Sequence, residues 1–300
     1  MRNFYRHACV RLIAFAAALI PMVSQAADDT ATCDVYAAAP VQVGVEPKSL
    51  PEDSGMVVGR KHPHIFWSHN DSGNPFELFA QRLDGSIAAR YRLTGGENVD
   101  IEDIAVGPCR EDHAESCVYL ADIGDNPEER KEVAVYQITE PARLESGTLV
   151  AKKLRFTYPD GAHNAETLLA DPHTADLYVV TKDPVGLGTV YKLEGLSPDK
   201  LGYAVALLRL PQAGMFSVLT TGGDVHPSGT RVLLRTYTGV FEYRGKPGQT
   251  IEKILSETPI IVTTASQRQG EAVTYTADGR GYVLGSEMTG SPIYRVDCAR

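Results

Sequence analysis

The chain has 300 residues, 43% of them hydrophobic, with 29 Lys and Arg against 38 Asp and Glu and a formal net charge of −9. An acidic chain without a basic stripe is a poor match for nucleic acid or for an anionic membrane surface. Its length fits one large all-β domain or two smaller units.

Arg2, Arg6 and Arg11 lead into the apolar run Leu12 to Val23 and then Ser24-Gln25-Ala26. Positive charge, a short apolar core and small residues ahead of a cut are the layout of a secretory signal. Residues 1–26 are expected to be removed. Three arginines and no acid go with them, which moves the charge of the mature segment 27–300 from −9 to −12. The apolar run is short for a bilayer, and no later segment approaches the ~20 apolar residues that a membrane helix needs. A periplasmic or secreted protein without membrane insertion is expected. Cys9 precedes the apolar core and Cys33 lies past the cut, so neither is placed to carry a lipid anchor. Cys33, Cys109, Cys117 and Cys298 remain, an even number for an oxidising compartment, and they allow three pairings.

One unit then recurs along the chain. Ser54 stands five residues before Gly59, Glu102 five before Gly107-Pro108, Glu166 five before Asp171-Pro172, Thr221 five before His226-Pro227, and Glu271 five before the turn Thr276–Gly279. We call these the ring positions. Each is followed by a β-branched and aromatic run that ends in polar residues: Ile65–Asn70, Val118–Asp122, Leu177–Lys182, Val232–Tyr237 and Tyr282–Glu287. A third run carries an aromatic in its second place, at Phe79, Tyr136, Tyr191, Phe241 and Tyr294, spaced 57, 55, 50 and 53 residues apart. A fourth, more polar strand is expected at Ser86–Leu93, Thr148–Tyr158, Tyr203–Leu210 and Thr250–Glu257, and the fifth unit has none.

Four antiparallel strands repeated at this period predict an all-β fold, a single β-propeller of five four-stranded blades, with six as the alternative count. Pro40–Val45 is placed to supply the missing strand beside Ile293–Val296 and leave no open edge. That closure brings Cys33 to Cys298, and a local bridge joins Cys109 to Cys117 across the turn between the first two strands of the second blade.

Innermost strands begin at the rim where second strands end, so ring residues and second-strand ends share one mouth. Period-two alternation puts Glu52, Asp100, Asn164, Leu219 and Gln269, two residues before each ring position, on the same side. Glutamates around a narrow channel repel one another unless a cation sits among them. Calcium suits carboxylate oxygens, and the Cys and His set that zinc prefers is missing. The expected metal ligands are Glu102, Glu166, Glu271, Asp71, Asp122 and Glu287, with water and backbone amides as the competing partners of the glutamates. Lys182, Arg235 and Tyr237 add donors for a substrate anion, and His69 is the candidate proton carrier. Asp224, out of phase with the ring, is read as a turn or supporting residue, and Phe66 and Trp67 as core.

Trp67-Ser68-His69-Asn70-Asp71-Ser72-Gly73, Asp122-Ile123-Gly124-Asp125-Asn126, Arg235-Thr236-Tyr237 and Gln269-Gly270-Glu271-Ala272 resemble the signature segments of a family of exported bacterial propeller proteins, mostly of unassigned activity. The resemblance covers nearly all of the mature chain. More loosely, the acidic mouth is similar to phytase-like and esterase-like propellers, which implies a calcium-bound phosphate or ester site, although the full set of phytase motifs is absent. Three functions compete: a calcium-dependent hydrolase of phosphoesters, esters or lactones; a non-catalytic periplasmic binding or scaffold propeller; and a five-bladed glycosidase whose acid and nucleophile come from Glu102, Glu166 or Glu271. The expected partner is a small anionic or ester substrate, or else a periplasmic protein, and the expected state is a monomer.

Overall fold

The computed structural model describes Met1 and residues 32–212 and 218–299. The expected signal segment, apart from Met1, lies outside the described residues, as does Cys9.

After an edge strand β1 (Val41–Val45), the first unit comprises β2 (Asp53–Val58), β3 (Phe66–Asn70), β4 (Glu77–Gln81) and β5 (Ile87–Thr94). The second comprises β6 (Ile101–Pro108), β7 (Ser116–Asp122) and β8 (Val133–Thr139), followed by β9 (Gly147–Val150) and β10 (Lys152–Thr157). The third is β11 (Ala165–Ala170), β12 (Leu177–Thr181), β13 (Gly188–Glu194) and β14 (Gly202–Leu210). The fourth is β15 (Thr220–Val225), β16 (Arg231–Thr236), β17 (Val240–Arg244), a short helix α1 (Ile251–Leu255) and β18 (Ile260–Val262). The fifth is β19 (Gly270–Tyr275), β20 (Gly281–Ser286) and β21 (Pro292–Asp297).

The inner strands touch in the cyclic order β2, β6, β11, β15, β19 and back to β2, which closes a ring of five blades. The fold is a β-propeller. β1 pairs antiparallel with β21, Val41 opposite Arg295 and Val45 opposite Pro292, so the N-terminal segment supplies the outer strand of the fifth blade. Cys33–Cys298 and Cys109–Cys117 are both disulfide-bonded, with Cα separations of 5.5 and 4.9 Å. No helix among the described residues is long and apolar enough to cross a membrane.

Inner and second strands are buried along both faces, as β7, β11, β12, β16, β19 and β20 show, because each blade is sandwiched between two others. They therefore read as continuous apolar and β-branched runs, whereas the outer strand β5 alternates buried and exposed. The repeated aromatics fill the gaps between blades: Tyr136 between the first and second, Tyr191 between the second and third, Phe241 between the third and fourth, and Tyr294 between the fourth and fifth.

Two expected outer strands are corrected. Thr148–Tyr158 is split at Ala151: β9 runs parallel to β5 as a fifth strand of the first blade, and β10 pairs with β8 as the outer strand of the second. One extended run thus covers the edges of two blades. Thr250–Glu257 is not a strand; it forms α1, and β18 pairs with β17 in its place. The reason is spacing: Ile251, Ile254 and Leu255 fall at i, i+3 and i+4, a helical stripe, and all three are buried.

Candidate functional site

At every ring position the pairing between inner and second strand slips. The register shifts span Ser54, Glu102, Glu166 and Thr221, and in the fifth blade Glu271 and Ala272. Each is a β-bulge, in which one extra residue breaks the ladder and re-aims its side chain. Glu102, Glu166 and Glu271 are each 4% exposed or less, yet their charges are mutually felt. Ser54 Oγ joins them, 3.1 Å from Glu271 Oε2 and 2.8 Å from Glu102 O. Thr221 Oγ1 likewise donates to Gly270 O of the next blade at 3.0 Å. The two hydroxyls at positions without a carboxylate therefore stitch neighbouring blades.

Carboxylate oxygens of Asp71, Asp100 and Glu102 lie within 4.8 Å of one another. Asp71 follows β3 and is fixed through its backbone: its N–H donates to Glu52 O at 3.0 Å, and its carbonyl accepts Asn98 Nδ2 at 2.7 Å. Asp100 precedes β6, and its N–H donates to Asp122 Oδ1 at 3.2 Å. Gly124, just past β7, closes the other side: a methyl built on it would collide with Glu102 Oε1 and the Asp100 carboxylate. Asp100, outside the expected ligand set, thus belongs to the cluster, and Gly124 is a site residue that sequence reasoning missed.

The other expected ligands surround this triad. Glu287 hydrogen-bonds Gln269 Nε2, which lies 3.4 Å from Glu271 Oε1. Asp122 is fully buried behind Asp100, where Arg130 Nη2 donates to it at 2.8 Å. Lys182 Nζ bridges Glu166 Oε1 at 2.5 Å and Tyr237 OH at 2.8 Å, bringing three expected residues together on one wall.

Arg235 and His69 are not in the open mouth. Arg235 is 1% exposed, its Nη1 donating to Ala272 O at 2.6 Å and Gly285 O at 3.0 Å, so it clamps the fourth blade to the fifth. His69 is likewise 1% exposed. Its Nδ1 sits 3.2 Å from Asn70 O, and its Nε2 faces the space that a side chain on Gly55 would fill, beside Asp103. Burial pulls its pKa down to about 4, so it is neutral at pH 7. Asp224 bridges blades, accepting from Tyr275 N at 2.8 Å and Thr274 Oγ1 at 2.9 Å. Phe66 and Trp67 are core, and the Trp67 indole N–H donates to Glu140 Oε1 at 3.0 Å.

Burial and mutual repulsion push the mouth carboxyls upward. Asp71 rises to about 6 through burial, with Asp100, Glu271 and Glu52 adding to it. Glu102 is raised by burial, then by Glu166, Asp71, Asp100 and Glu271. Glu166 stands at about 7, burial outweighing the Lys182 charge beside it, and Glu287 at about 9, through burial and Glu271. Burial lowers Lys182, but Glu166 and Tyr237 more than reverse this, so it stays charged. Hard oxygen donors that repel one another around a residue without a side chain suit a hard divalent cation, and no Cys or His enters the cluster.

A solved structure of a gluconolactonase from Xanthomonas campestris superposes on 87% of this chain and 89% of its own, at 11% identity and a TM-score of 0.47. No protein-family model and no curated protein sequence matches the chain, so the resemblance to an exported propeller family has no matching family model behind it.

Proposed function

We propose that this chain is an exported hydrolase of neutral esters or lactones that works with a divalent cation, calcium, at the propeller mouth. The observation that carries the reading is the convergence of Asp71, Asp100 and Glu102 oxygens within 4.8 Å beside the bare Cα of Gly124. Asp71, Asp100 and Glu102 would hold the ion, with Glu271 flanking them. When bound, the ion polarises a substrate oxygen or lowers the pKa of a water.

The chain's own groups do the rest. Lys182 and Tyr237 present an ammonium and a hydroxyl 2.8 Å apart, donors for oxygen that gains negative charge. Glu166, at about 7 and bonded to that lysine, is poised to take and return a proton near neutral pH, a task for which sealed, neutral His69 is poorly placed. Lys182 is the one cation that bonds a ring carboxylate among the described residues, and Glu166 already engages it. A dianionic phosphoester would meet uncompensated carboxylates, so neutral esters and lactones fit better. Two disulfides support an oxidising compartment, periplasmic or extracellular.

Calcium calorimetry on the mature protein, followed by turnover of p-nitrophenyl acetate, a sugar-type lactone and p-nitrophenyl phosphate with and without chelator, tests this. Calcium heat with chelator-sensitive turnover of the neutral substrates is expected. No heat and no turnover would leave the non-catalytic binding propeller as the better account.

A further inference from the structure

The ring closes where the fifth blade meets the first, and this seam holds the smallest apolar cluster between blades among the described residues: Met56, Phe66, Ala272, Val283 and Ile293. At the end of the seam away from the mouth, Val58, Phe66, Leu83 and Val283 line a cavity of about 520 Å³. Apolar packing is thus thinnest at the joint where the last blade meets the first.

Two carboxyls sit inside that joint. Glu46, just past β1, is 1% exposed, and Asp53, first in β2, is fully buried. The two are within hydrogen-bonding reach of each other. Glu46 Oε2 accepts Gln81 Nε2 at 3.0 Å, and Gln81 Oε1 in turn accepts Ser68 Oγ at 3.0 Å. Glu46 Oε1 and both Asp53 oxygens receive no N–H donor, and Ser68 Oγ, which also lies near Asp53, donates to Gln81 Oε1. Gly285 of β20 closes the fifth-blade side, since a Cβ there would stand 3.3 Å from both Glu46 Oε1 and Met56 Cε. Arg235 Nη1 is turned to Gly285 O and Ala272 O, and no arginine or lysine charge acts on either carboxyl. The further carboxylate that Asp53 feels is Glu287. Two buried carboxylates facing each other without a cation cannot both stay ionised, and an amide N–H aimed at the pair favours a proton over a metal ion as the third partner.

We propose that Glu46 and Asp53 share one proton, and that this proton fastens the last blade to the first and fixes the mouth wall that carries Glu287. The backbone connects the pair to that wall. Glu46 N–H donates to Ser291 O and Gly290 N–H to Glu46 O, both at 2.8 Å, and Met288 N–H donates to Pro51 O at 2.9 Å. Asp53 is followed directly by Ser54, which holds the Glu102 backbone and the Glu271 carboxylate. The proton therefore acts on position, through the chain on either side of the seam.

Burial raises both groups, Glu46 to about 7. For carboxyls raised above their unfolded values, the stabilising state is complete below the unfolded pKa and is lost as pH rises through the folded one. The seam should loosen as pH rises from roughly 5 through the Glu46 value of about 7, whether or not the mouth is catalytic.

The test is a carboxyl titration by ¹³C NMR of the mature protein, combined with amide exchange at Glu46 and Gly290 against pH, in the native chain and in Glu46→Gln and Asp53→Asn. Either amide replaces the shared proton with a permanent N–H donor. We expect one carboxyl of the pair to titrate above pH 6, exchange at both amides to rise at least tenfold across that transition beyond the intrinsic pH effect, and both variants to flatten the rise. Two carboxyls titrating below pH 5 would overturn the proposal. So would variants whose exchange follows the native pH curve, or a bound metal that chelator removes together with seam protection. If a variant fails to fold, the native titration alone decides. Calcium heat and ester turnover at pH 6 report the mouth chemistry separately, so loss of that reading leaves the seam result standing.

Discussion

Gly124 stands against Glu102 with no room between them: any side chain at this position would enter the space of Glu102 Oε1 and of the Asp100 carboxylate. The loop after β7 therefore packs bare backbone against two of the three clustered acids. Gly124→Ala should push them apart and remove calcium heat in calorimetry. The fold should survive with a loss of ~1–3 kcal/mol, the usual cost of overpacking, read by urea unfolding. Unchanged calcium affinity in the alanine variant would move the ion elsewhere in the mouth.

Arg235 makes the opposite demand. Its guanidinium holds Ala272 O and Gly285 O from within the core, so Arg235→Met should leave two buried carbonyls short of a donor. A stability loss of ~2–5 kcal/mol is expected from the unpaired groups. Calcium binding, measured in the folded range, should persist within about threefold.

The ring was legible because a bulge has a sequence consequence. A polar residue at a fixed five-residue distance from a turn marks Glu102, Glu166 and Glu271 as one set, and the aromatic spacing marks the blades. Lys182 and Tyr237 were legible as second-strand ends for the same reason. Gly124 was not, since what distinguishes it is an absent side chain at a close approach. Arg235 and His69 stand two residues before Tyr237 and Asp71, in the pairing register of core Val180 and not of Lys182, and their side chains go between blades; no periodicity in one strand says which neighbour it meets. Asp100 showed the right phase, two residues before Glu102, without showing that Asp71 of another blade lay within reach. Thr250–Glu257 carried its own warning in the i, i+3, i+4 spacing of Ile251, Ile254 and Leu255, which the expected four-strand repeat overrode.

Cys33–Cys298 ties the N-terminal segment to the end of the fifth blade, residues 265 apart in sequence, whereas Cys109–Cys117 closes a loop of 8. Chain entropy assigns the larger effect to the longer loop. Cys33→Ser with Cys298→Ser should cost ~2–5 kcal/mol, and Cys109→Ser with Cys117→Ser visibly less, in equilibrium urea unfolding. Equal losses would show that the N-terminal segment is held by other contacts, among them Tyr36 OH to Glu242 Oε1 at 2.6 Å and Arg231 to Asp34 at 2.9 Å on the fourth blade.

Lys182 and Glu166 form an ion pair with side chains only 14% and 4% exposed, so removing the lysine leaves a carboxyl with no cation in a buried place. Glu166 already stands at about 7 with Lys182 present, and without it the value rises further. A carboxyl raised above its unfolded pKa stabilises fully below that unfolded value and loses the benefit as pH climbs through the folded one. Lys182→Met should therefore differ little from the native protein at pH 5, where Glu166 is protonated in both. By pH 9 it should fall behind by ~3–5 kcal/mol, the cost of an unpaired buried charge. Adding Glu166→Gln should recover most of that loss at pH 9. Activity should report the same group: if Glu166 carries the proton, the rising limb of kcat/KM lies near pH 7 in the native enzyme, shifts upward in Lys182→Met and disappears in Glu166→Gln. A limb that stays in place in Lys182→Met would assign the proton to another carboxyl of the ring.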